Sequence, residues 1–565
     1  MAGARATCSD TAASPWQAQR LRSSRWIPVL AGLTLEICGG SIYITGLYTS
    51  DLKRRFFTGE DGQSLVEQLV FASNLGNWLP ASGLFNDSRY GGARNTALIA
   101  ALLTLVGYTG LWAWSSGIVE PRYWQVWCMW FLWGHGSGWF DNAAVTTAAK
   151  NFPHQRGRAV ALIKAFYGLS GSILTQVYAL FFVGRTSAFL LFLGLALSGI
   201  GAVSAPLLWL AVPQGAESDQ PARRLGRGLR IVVCLASFLM LASIAKTTLG
   251  ASDALNVGCF VVTMLFLASL LLLLREPAVA DSSIVVGSSP DREGRQSASG
   301  AASLLLAGAQ TEGASGESSD VTLQGSLRTA EFWLVFLVAF TGMGSGLVLL
   351  NHVGQMVSAL GGGTSVTPIL VSSVSVFNCL GRVSYGVMPD LLAGRVATPS
   401  LCALNMLAMG MAQLLLALST LPALFAGSIL TGFCYGGFWT LLPCLVMDLF
   451  GMSSFASIYN ALTLAVCLSS FLFSTQLASR LYDRQAESHP ASRGGCAGES
   501  CYRATSLAMA ATCAAGCAAS LALRALARRR RARLMGDAYE PSELGTSLVQ
   551  AQYEQCELAE VRPRA

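Results

Sequence analysis

The chain has 565 residues, of which 53% are hydrophobic and only 12% are charged, and its mean hydropathy is +0.50. A water-soluble globule needs far more charged surface, so a soluble fold is excluded and a polytopic membrane protein is predicted. The net charge of +7 is not gathered on a basic face with interleaved aromatic residues, so no nucleic-acid partner is expected.

The chain begins with a polar segment, residues 1–26, that carries four arginines and one acidic residue. The apolar run after it is long enough to cross a bilayer. We therefore predict a cytoplasmic N-terminal tail followed by an uncleaved first helix. An organellar transit sequence is the alternative interpretation, because the segment contains Arg and Ser and is poor in acids.

Apolar runs of about 20 residues, the length that crosses a bilayer as a helix, recur along the rest of the chain. They predict helices near 27–49, 64–86, 95–115, 123–148, 158–183, 187–212, 229–249, 254–274, 330–352, 365–388, 398–419, 421–447, 456–480 and 503–526. These helices form a first six-helix half (27–212), two additional helices (229–274) and a second six-helix half (330–526). The predicted fold class is therefore an all-α polytopic membrane protein with about 14 transmembrane helices.

Two polar stretches interrupt or follow the helices. Residues 275–328 are rich in Ser, Gly and acids and cannot bury a core, so we predict a disordered cytoplasmic linker. Residues 527–565 are predicted to form a cytoplasmic tail, with the arginine cluster 528–531 against anionic lipid headgroups.

Lys and Arg are concentrated on the side of the membrane where both tails lie, although the basic segment 53–55 is an exception. The positive-inside rule therefore places both termini in the cytoplasm, with the plasma membrane and an internal membrane both open.

The fifteen cysteines show no metal-ligand spacing, and most lie in apolar segments as small buried hydrophobes. Cys496 and Cys501 differ because they share one polar loop, where a disulfide is the expectation if the loop faces outside. The sequence contains no Walker-type loop, metal-ligand cluster or nucleophile triad. No enzymatic activity, cofactor or resident metal is expected.

Several ionisable residues lie within predicted membrane helices, and Glu36, Asp141 and Lys164 are the most informative. Such residues are tolerated when they face a protein interior or a water-filled cavity, so they indicate a polar path through the bilayer. Lys164 either attracts an anionic substrate or forms a structural ion pair with Glu36 or Asp141. Glu36 either carries a coupling proton or neutralises Lys164.

Further polar residues join these three as candidates for substrate or coupling contacts. The additional candidates are Tyr43, His135, Asn142, Gln176 and Asn378. His135 titrates near neutral pH when it is unperturbed, but a lone helical histidine is also a common packing residue.

The second helix of each half ends in a similar pattern, with Gly83 and Asp87 in the first half and Gly386 and Asp390 in the second. Glycine lets two helices approach closely, and the aspartate can meet a helix N-terminus or an arginine. We interpret both pairs as conformational latches, the alternative being a solvated turn. The remaining latch candidates are Arg89, Arg94 and Arg382. Arg382 is either a second anion contact or, as we favour, a latch to Asp390 eight residues later.

A second parallel joins the two halves, because 136–139 (GSGW) resembles 436–439 (GGFW). Two six-helix halves related by a repeat are typical of secondary transporters.

The motifs of both halves are similar to those of the major facilitator superfamily and, within it, of the nodulin-like branch. The loop from Gly83 through Asp87 and Arg89 to Arg94 is similar to the superfamily's loop between helices two and three. The branch-level similarity rests on further short motifs: 151–153 (NFP), 156–157 (RG), Lys164, 332–333 (FW), 378–382 (NCLGR), 435–436 (YG) and 459–460 (YN). Many proton-coupled members carry an arginine on helix four at the position of Trp130. The chain therefore lacks the residue through which those members couple transport to protons.

This resemblance implies a major facilitator fold and transport by alternating access. We predict a secondary transporter of a small solute in the lipid bilayer, with an organic anion such as a monocarboxylate as substrate and a proton as candidate coupling ion. One alternative is a cation or metal ion held by Glu36 and Asp141. Another is a membrane sensor or scaffold without flux.

Overall fold

The computed structural model describes residues 24–56, 62–211, 221–250, 252–274, 321–362, 366–392, 395–488, 496 and 498–537. All regular elements in these ranges are helical. The α-helices are α1 Trp26–Gly39, α2 Gly46–Phe56, α3 Gly62–Trp78, α4 Ala81–Asn86, α5 Ala93–Ser115, α6 Tyr123–Asn151, α7 Arg156–Phe181, α8 Thr186–Ser204, α9 Pro221–Leu249, α10 Asp253–Ser269, α11 Leu323–Ser326, α12 Ala330–Ala359, α13 Val366–Leu391, α14 Thr398–Ala417, α15 Leu421–Phe450, α16 Phe455–Ser469, α17 Ser479–Ser488 and α18 Ser500–Asp537. Most of the predicted linker and the ends of both predicted tails lie outside the described residues.

Eleven helical segments in the described ranges are long and apolar enough to cross a membrane. Helices α3, α6 and α13 are not among these eleven segments, but they pack against them in the same bundle. Helix α3 has only 17 residues, slightly fewer than the roughly 20 that span a bilayer. The prediction of about 14 spans depends on these three helices and stays a prediction.

Two predicted helices are interrupted in the structure. The predicted helix 64–86 is divided into α3 and α4 at Leu79 and Pro80, because proline lacks an N–H donor and disfavours a helical residue before it. The predicted helix 27–49 changes to a 3-10 turn at Gly40–Ile44. There Gly40 approaches Ser170 and Tyr167 of α7 so closely that a Cβ atom would overlap with them.

The helices assemble into two groups that share one continuous buried apolar cluster. In the first group, α6 packs against α1, α3 and α5, and α8 packs against α5. In the second, α15 packs against α12, α13 and α14, and α18 covers α12 and α14. The groups meet where α7 packs on α13 and α15 and where α4 packs on α16. These two seams surround the polar centre of the bundle.

Two further features lie outside these seams. Helix α9 contacts both α7 and α13, so the first additional helix touches both halves. In the loop between α17 and α18, Cys496 and Cys501 form a disulfide with an S–S distance of 2.06 Å.

Candidate functional site

A polar cavity lies between the two halves, at the level where the ionisable residues of the membrane helices meet. The space between its lining residues amounts to about 310 Å³, part of which is open to solvent. Its lining comes from α3, α6 and α7 of the first half and from α13, α15 and α16 of the second. The lining residues are Asn77, Trp78, Gly138, Asp141, Lys164, Tyr167, Arg382, Trp439, Asn460 and Thr463.

Lys164 and Asp141 form an ion pair in this cavity. The Lys164 Nζ lies 2.5 Å from Asp141 Oδ1, and the lysine side chain is only 1% exposed. The ammonium is 5.6 Å from the ring centroid of Tyr167, 5.1 Å from that of Trp439 and 5.2 Å from that of Tyr459. The ion pair is therefore the one with Asp141, one of the pairings that the sequence left open, and aromatic rings surround its cation.

Arg382 is the second buried cation of the cavity. Its Nε donates to Asn378 Oδ1 at 2.7 Å, Nη1 donates to the Lys164 carbonyl at 2.8 Å, and Nη2 donates to the Tyr43 hydroxyl at 3.4 Å. A guanidinium has five N–H donors, so these three bonds leave two N–H groups of this cavity-lining residue without a partner among the described residues. Within the described ranges, the ion pairs that involve carboxylates do not include Arg382.

The expected contact between Arg382 and Asp390 is therefore corrected. Eight residues of helix separate them by about 12 Å along the helix axis, and Arg382 extends across the seam toward Lys164. Asp390 instead accepts hydrogen bonds from the backbone N–H groups of Gly157 at 3.2 Å and Arg158 at 2.9 Å.

Glu36 lies on α1 behind the cavity wall and is fully buried. Neither oxygen of its carboxyl group meets a hydrogen-bond donor among the described residues. The charges that act on it are those of Asp141, Lys164 and Arg382. Burial of an ionised carboxylate without donors is costly, so this group is suited to hold a proton.

His135 lies apart from the cavity and occupies a packing position. Its Nδ1 contacts the Gly76 carbonyl at 2.7 Å, and its Nε2 accepts from Trp139 Nε1 at 2.9 Å. These partners fit a neutral imidazole that donates from Nδ1.

Asn142 and Gln176 also point away from the cavity. The Oδ1 of Asn142 accepts from Asn86 Nδ2 at 2.8 Å, and the Oε1 of Gln176 accepts from Lys246 Nζ at 2.6 Å. Of the eight candidate contact residues, the structure gathers Glu36, Tyr43, Asp141, Lys164 and Asn378 around Arg382 and leaves His135, Asn142 and Gln176 outside.

The two predicted latches form equivalent contacts in the two halves. Asp87, after α4, accepts hydrogen bonds from the Ser457 backbone N–H at 2.7 Å and hydroxyl at 2.8 Å, at the start of α16. Asp390 contacts the start of α7 in the same way. Each aspartate thus meets the positive N-terminus of a helix from the opposite half. Burial raises the pKa of the Asp87 carboxyl, and the bonds from Ser457 oppose that shift.

The latch glycines lie against the same helices. A Cβ atom on Gly83 would overlap with Ala456, and one on Gly386 would overlap with Ala161. Arg89 and Arg94 are exposed, and Arg89 lies over the Tyr90 ring at 6.0 Å. Close helix contact therefore accounts for both glycines, whereas the two arginines lie outside the contact.

Comparison with known proteins identifies the family. Residues 25–274 match the family described as Nodulin-like, and residues 315–533 match the family described as NFD4, C-terminal domain. The chain is 25% identical over 491 residues to Protein NUCLEAR FUSION DEFECTIVE 4 of Arabidopsis thaliana, covering 82% of this chain and 81% of that protein. It is 28% identical over 152 residues to the uncharacterized MFS-type transporter YhjX of Escherichia coli, covering 27% and 37%.

A solved structure agrees with the architecture. The proton:xylose symporter XylE of E. coli superimposes with a TM-score of 0.53 at 14% identity, covering 88% of this chain and 94% of that chain. The chain belongs to the nodulin-like branch of the major facilitator superfamily. This nodulin-like protein is therefore an integral multi-pass membrane transporter and not an enzyme.

Three aromatic residues of the nodulin-like site were not among the predicted contacts: Trp78, Tyr167 and Trp439. Two of them had a signal in the sequence. Tyr167 follows Lys164 by three residues and therefore shares its helix face. Trp78 directly precedes the Leu79–Pro80 break, where a membrane helix exposes polar groups toward a cavity.

Proposed function

We propose that this nodulin-like transporter carries a small organic anion, such as a monocarboxylate, together with a proton by alternating access. The observation that supports this most strongly is the charge balance of the cavity. Two buried cations, Lys164 and Arg382, share it with one paired carboxylate, Asp141, and the carboxyl group of Glu36 lies buried behind its wall.

Arg382 is the anion contact in this proposal. The Lys164 charge is matched by Asp141 at 2.5 Å, whereas Arg382 bonds only to neutral oxygens and keeps two N–H donors. A planar guanidinium binds a carboxylate with two parallel hydrogen bonds. In this proposal Arg382 takes the anion contact that we predict for Lys164 from the sequence, and the Lys164 backbone carbonyl accepts a hydrogen bond from Arg382.

Glu36 is the coupling group in this proposal. With a proton on Glu36, the two cations and one carboxylate leave one net positive charge, which favours an anion. Without the proton the site is neutral, so the anion is held less tightly. Proton and anion therefore promote each other's binding, and by linkage the effect is reciprocal.

The cation alternative has less support. Glu36 and Asp141 with three aromatic rings are groups that bind an organic cation, but the Lys164 ammonium occupies the space between the rings. Within the described ranges, no group of three His, Cys, Asp or Glu residues is arranged to hold a metal ion.

Thermal stabilisation of the detergent-purified protein tests the substrate class, because a ligand of the folded state raises the unfolding midpoint with its concentration. We expect small carboxylates to stabilise the wild type and Arg185→Gln, a change of an exposed arginine at the start of α8, but not Arg382→Gln. Stabilisation by metals or organic cations, without any by carboxylates, would contradict the proposal.

Uptake into proteoliposomes tests the coupling. We expect an inward proton gradient to drive accumulation of the anion in the wild type. Glu36→Gln should keep exchange of anion across the membrane but lose accumulation driven by the gradient. Gradient-driven accumulation in Glu36→Gln would exclude Glu36 as the coupling group.

A further inference from the structure

Trp78 lines the cavity and carries a hydrogen-bond donor that meets no acceptor in the part of the chain that the structure describes. The residue is 5% exposed and lines the cavity with Lys164 and Arg382. Its indole Nε1 is buried and has no partner among the described residues. Buried indole N–H groups usually find an acceptor, and leaving one unpaired is costly. A bound solute is the group that can supply this acceptor.

The break between α3 and α4 fixes the position of this donor. Trp78 is the last residue of α3, and its own carbonyl accepts a hydrogen bond from Thr463 Oγ1 of α16 at 3.2 Å. The backbone of Trp78 is therefore held against the second half, and the residue lines the cavity from the first. The indole N–H is a fixed donor rather than a mobile one.

Asp141 and Asn77, two of the lining residues with acceptor oxygens, already bind other donors. Asp141, the one lining carboxylate, already accepts from Lys164 through Oδ1 and from the Tyr459 hydroxyl through Oδ2 at 3.4 Å. The Asn77 Oδ1 accepts from the Tyr167 hydroxyl at 3.3 Å. The cavity is therefore richer in donors than one carboxylate bound to Arg382 would require.

We infer that Trp78 is a specificity-determining residue that selects carboxylates carrying a second, uncharged oxygen acceptor, such as 2-hydroxy and 2-oxo acids. The inference rests on the proposed function, since it takes the carboxylate to be bound by Arg382. An indole N–H only donates. A hydroxyl or carbonyl oxygen on the carbon next to the carboxylate can accept this hydrogen bond. A hydrogen atom at that carbon leaves the indole N–H unpaired, and an ammonium group there places a second donor against it. Sites built to hydrogen-bond a substrate group reject the analogue that lacks it.

Four three-carbon acids of similar size test this selection: lactate, pyruvate, propionate and alanine. Their affinities for purified protein are measured by thermal stabilisation and by competition for uptake. We expect the wild type to bind lactate and pyruvate about tenfold or more tightly than propionate, and to bind alanine least. In Trp78→Phe the preference for lactate over propionate should fall to about one, while propionate affinity changes little.

The matched control is Trp130→Phe, because Trp130 is also a buried tryptophan with an unpaired Nε1 but does not line the cavity. It should keep the wild-type preference. An equal affinity of the wild type for lactate and propionate, or an unchanged ratio in Trp78→Phe, would overturn the inference and leave the proposed anion site intact. If none of the carboxylates binds, the proposed function fails and this inference fails with it.

Discussion

The Lys164–Asp141 pair stands almost free of water, at 1% and 13% side-chain exposure. Removal of two charges from water costs several kcal/mol per ion, which the short contact and the surrounding hydrogen bond and rings must offset. Such a pair is a weak net stabiliser, but loss of one member leaves an uncompensated charge in the bundle. We therefore expect loss of one member to lower the free energy of unfolding more than loss of both.

Lys164→Ala should lower the stability of the purified protein by about 3–5 kcal/mol, the cost of breaking a buried pair from one side. Because Lys164→Ala/Asp141→Asn removes both charges, we expect its unfolding midpoint to return most of the way to wild type, with part of the anion uptake. A double variant that is stable but inactive would show that the ammonium itself contacts the solute. Thermal melts and uptake on the same preparations separate these outcomes.

Helix α9 has polar bonds to both halves within one turn. Ser243 Oγ lies 2.6 Å from Ser372 Oγ on α13, and Lys246 Nζ donates to Gln176 on α7 at 2.6 Å. The following helix α10 packs on α7, and the 3-10 turn Leu270–Leu274 packs on α1. The additional pair is thus anchored mainly on the first half. The contact between Ser243 and Ser372 is its bond to the second half, and this bond must break if the halves rock.

A disulfide across this contact should block transport. In Ser243→Cys/Ser372→Cys we expect oxidation to reduce uptake to a few per cent of the reduced protein, and a reductant to restore it, because the tether holds α9 to both halves. Ser243→Cys alone, treated identically, controls for oxidation of the native cysteines. Full uptake by a fully cross-linked sample would show that α9 and α13 move as one body.

At the scale of the whole molecule, the cavity and both latches lie on the seams between two similarly built halves. Asp87 and Asp390 contact the start of α16 and of α7, so the same end of the bundle is closed by two equivalent contacts. The helical span Phe455–Gln485 begins at this end and leads to the disulfide loop, so the loop lies at the other end of the bundle. The Lys and Arg distribution predicts that the latched end faces the cytoplasm.

Thiol labelling of intact cells tests this orientation. Disulfides persist in oxidising compartments, so we expect a membrane-impermeant maleimide to label Cys496 and Cys501 from outside, or from the lumen in sealed vesicles, only after reduction. Cys496→Ser/Cys501→Ser should abolish the increase caused by the reductant. Labelling of these two residues only after the opposite face is made accessible would reverse the predicted topology.

Residues differ in how far the sequence predicts them. Lys164 and Asp141 were found because charges within apolar helices are rare and must be compensated. The sequence pairs Arg382 with Asp390 because spacing along a helix predicts positions along its axis. It does not predict which residue of another helix a side chain contacts. For Trp78 the sequence offers one weak signal, its position before the Leu79–Pro80 break, because tryptophan in a membrane helix is ordinary. Only the assembled cavity shows that its N–H meets no acceptor within the described ranges.

The latch glycines also influence the ratio of the two conformations of the transporter, closed or open at the latched end. Gly83 and Gly386 leave no room for a methyl group against Ala456 and Ala161, so the conformation with this end closed depends on their hydrogen atoms. A change of about 1.4 kcal/mol alters a two-state ratio tenfold. The resting ratio of the transporter is thus set in part by the absence of two methyl groups, and an alanine at either position would favour the form open at the latched end.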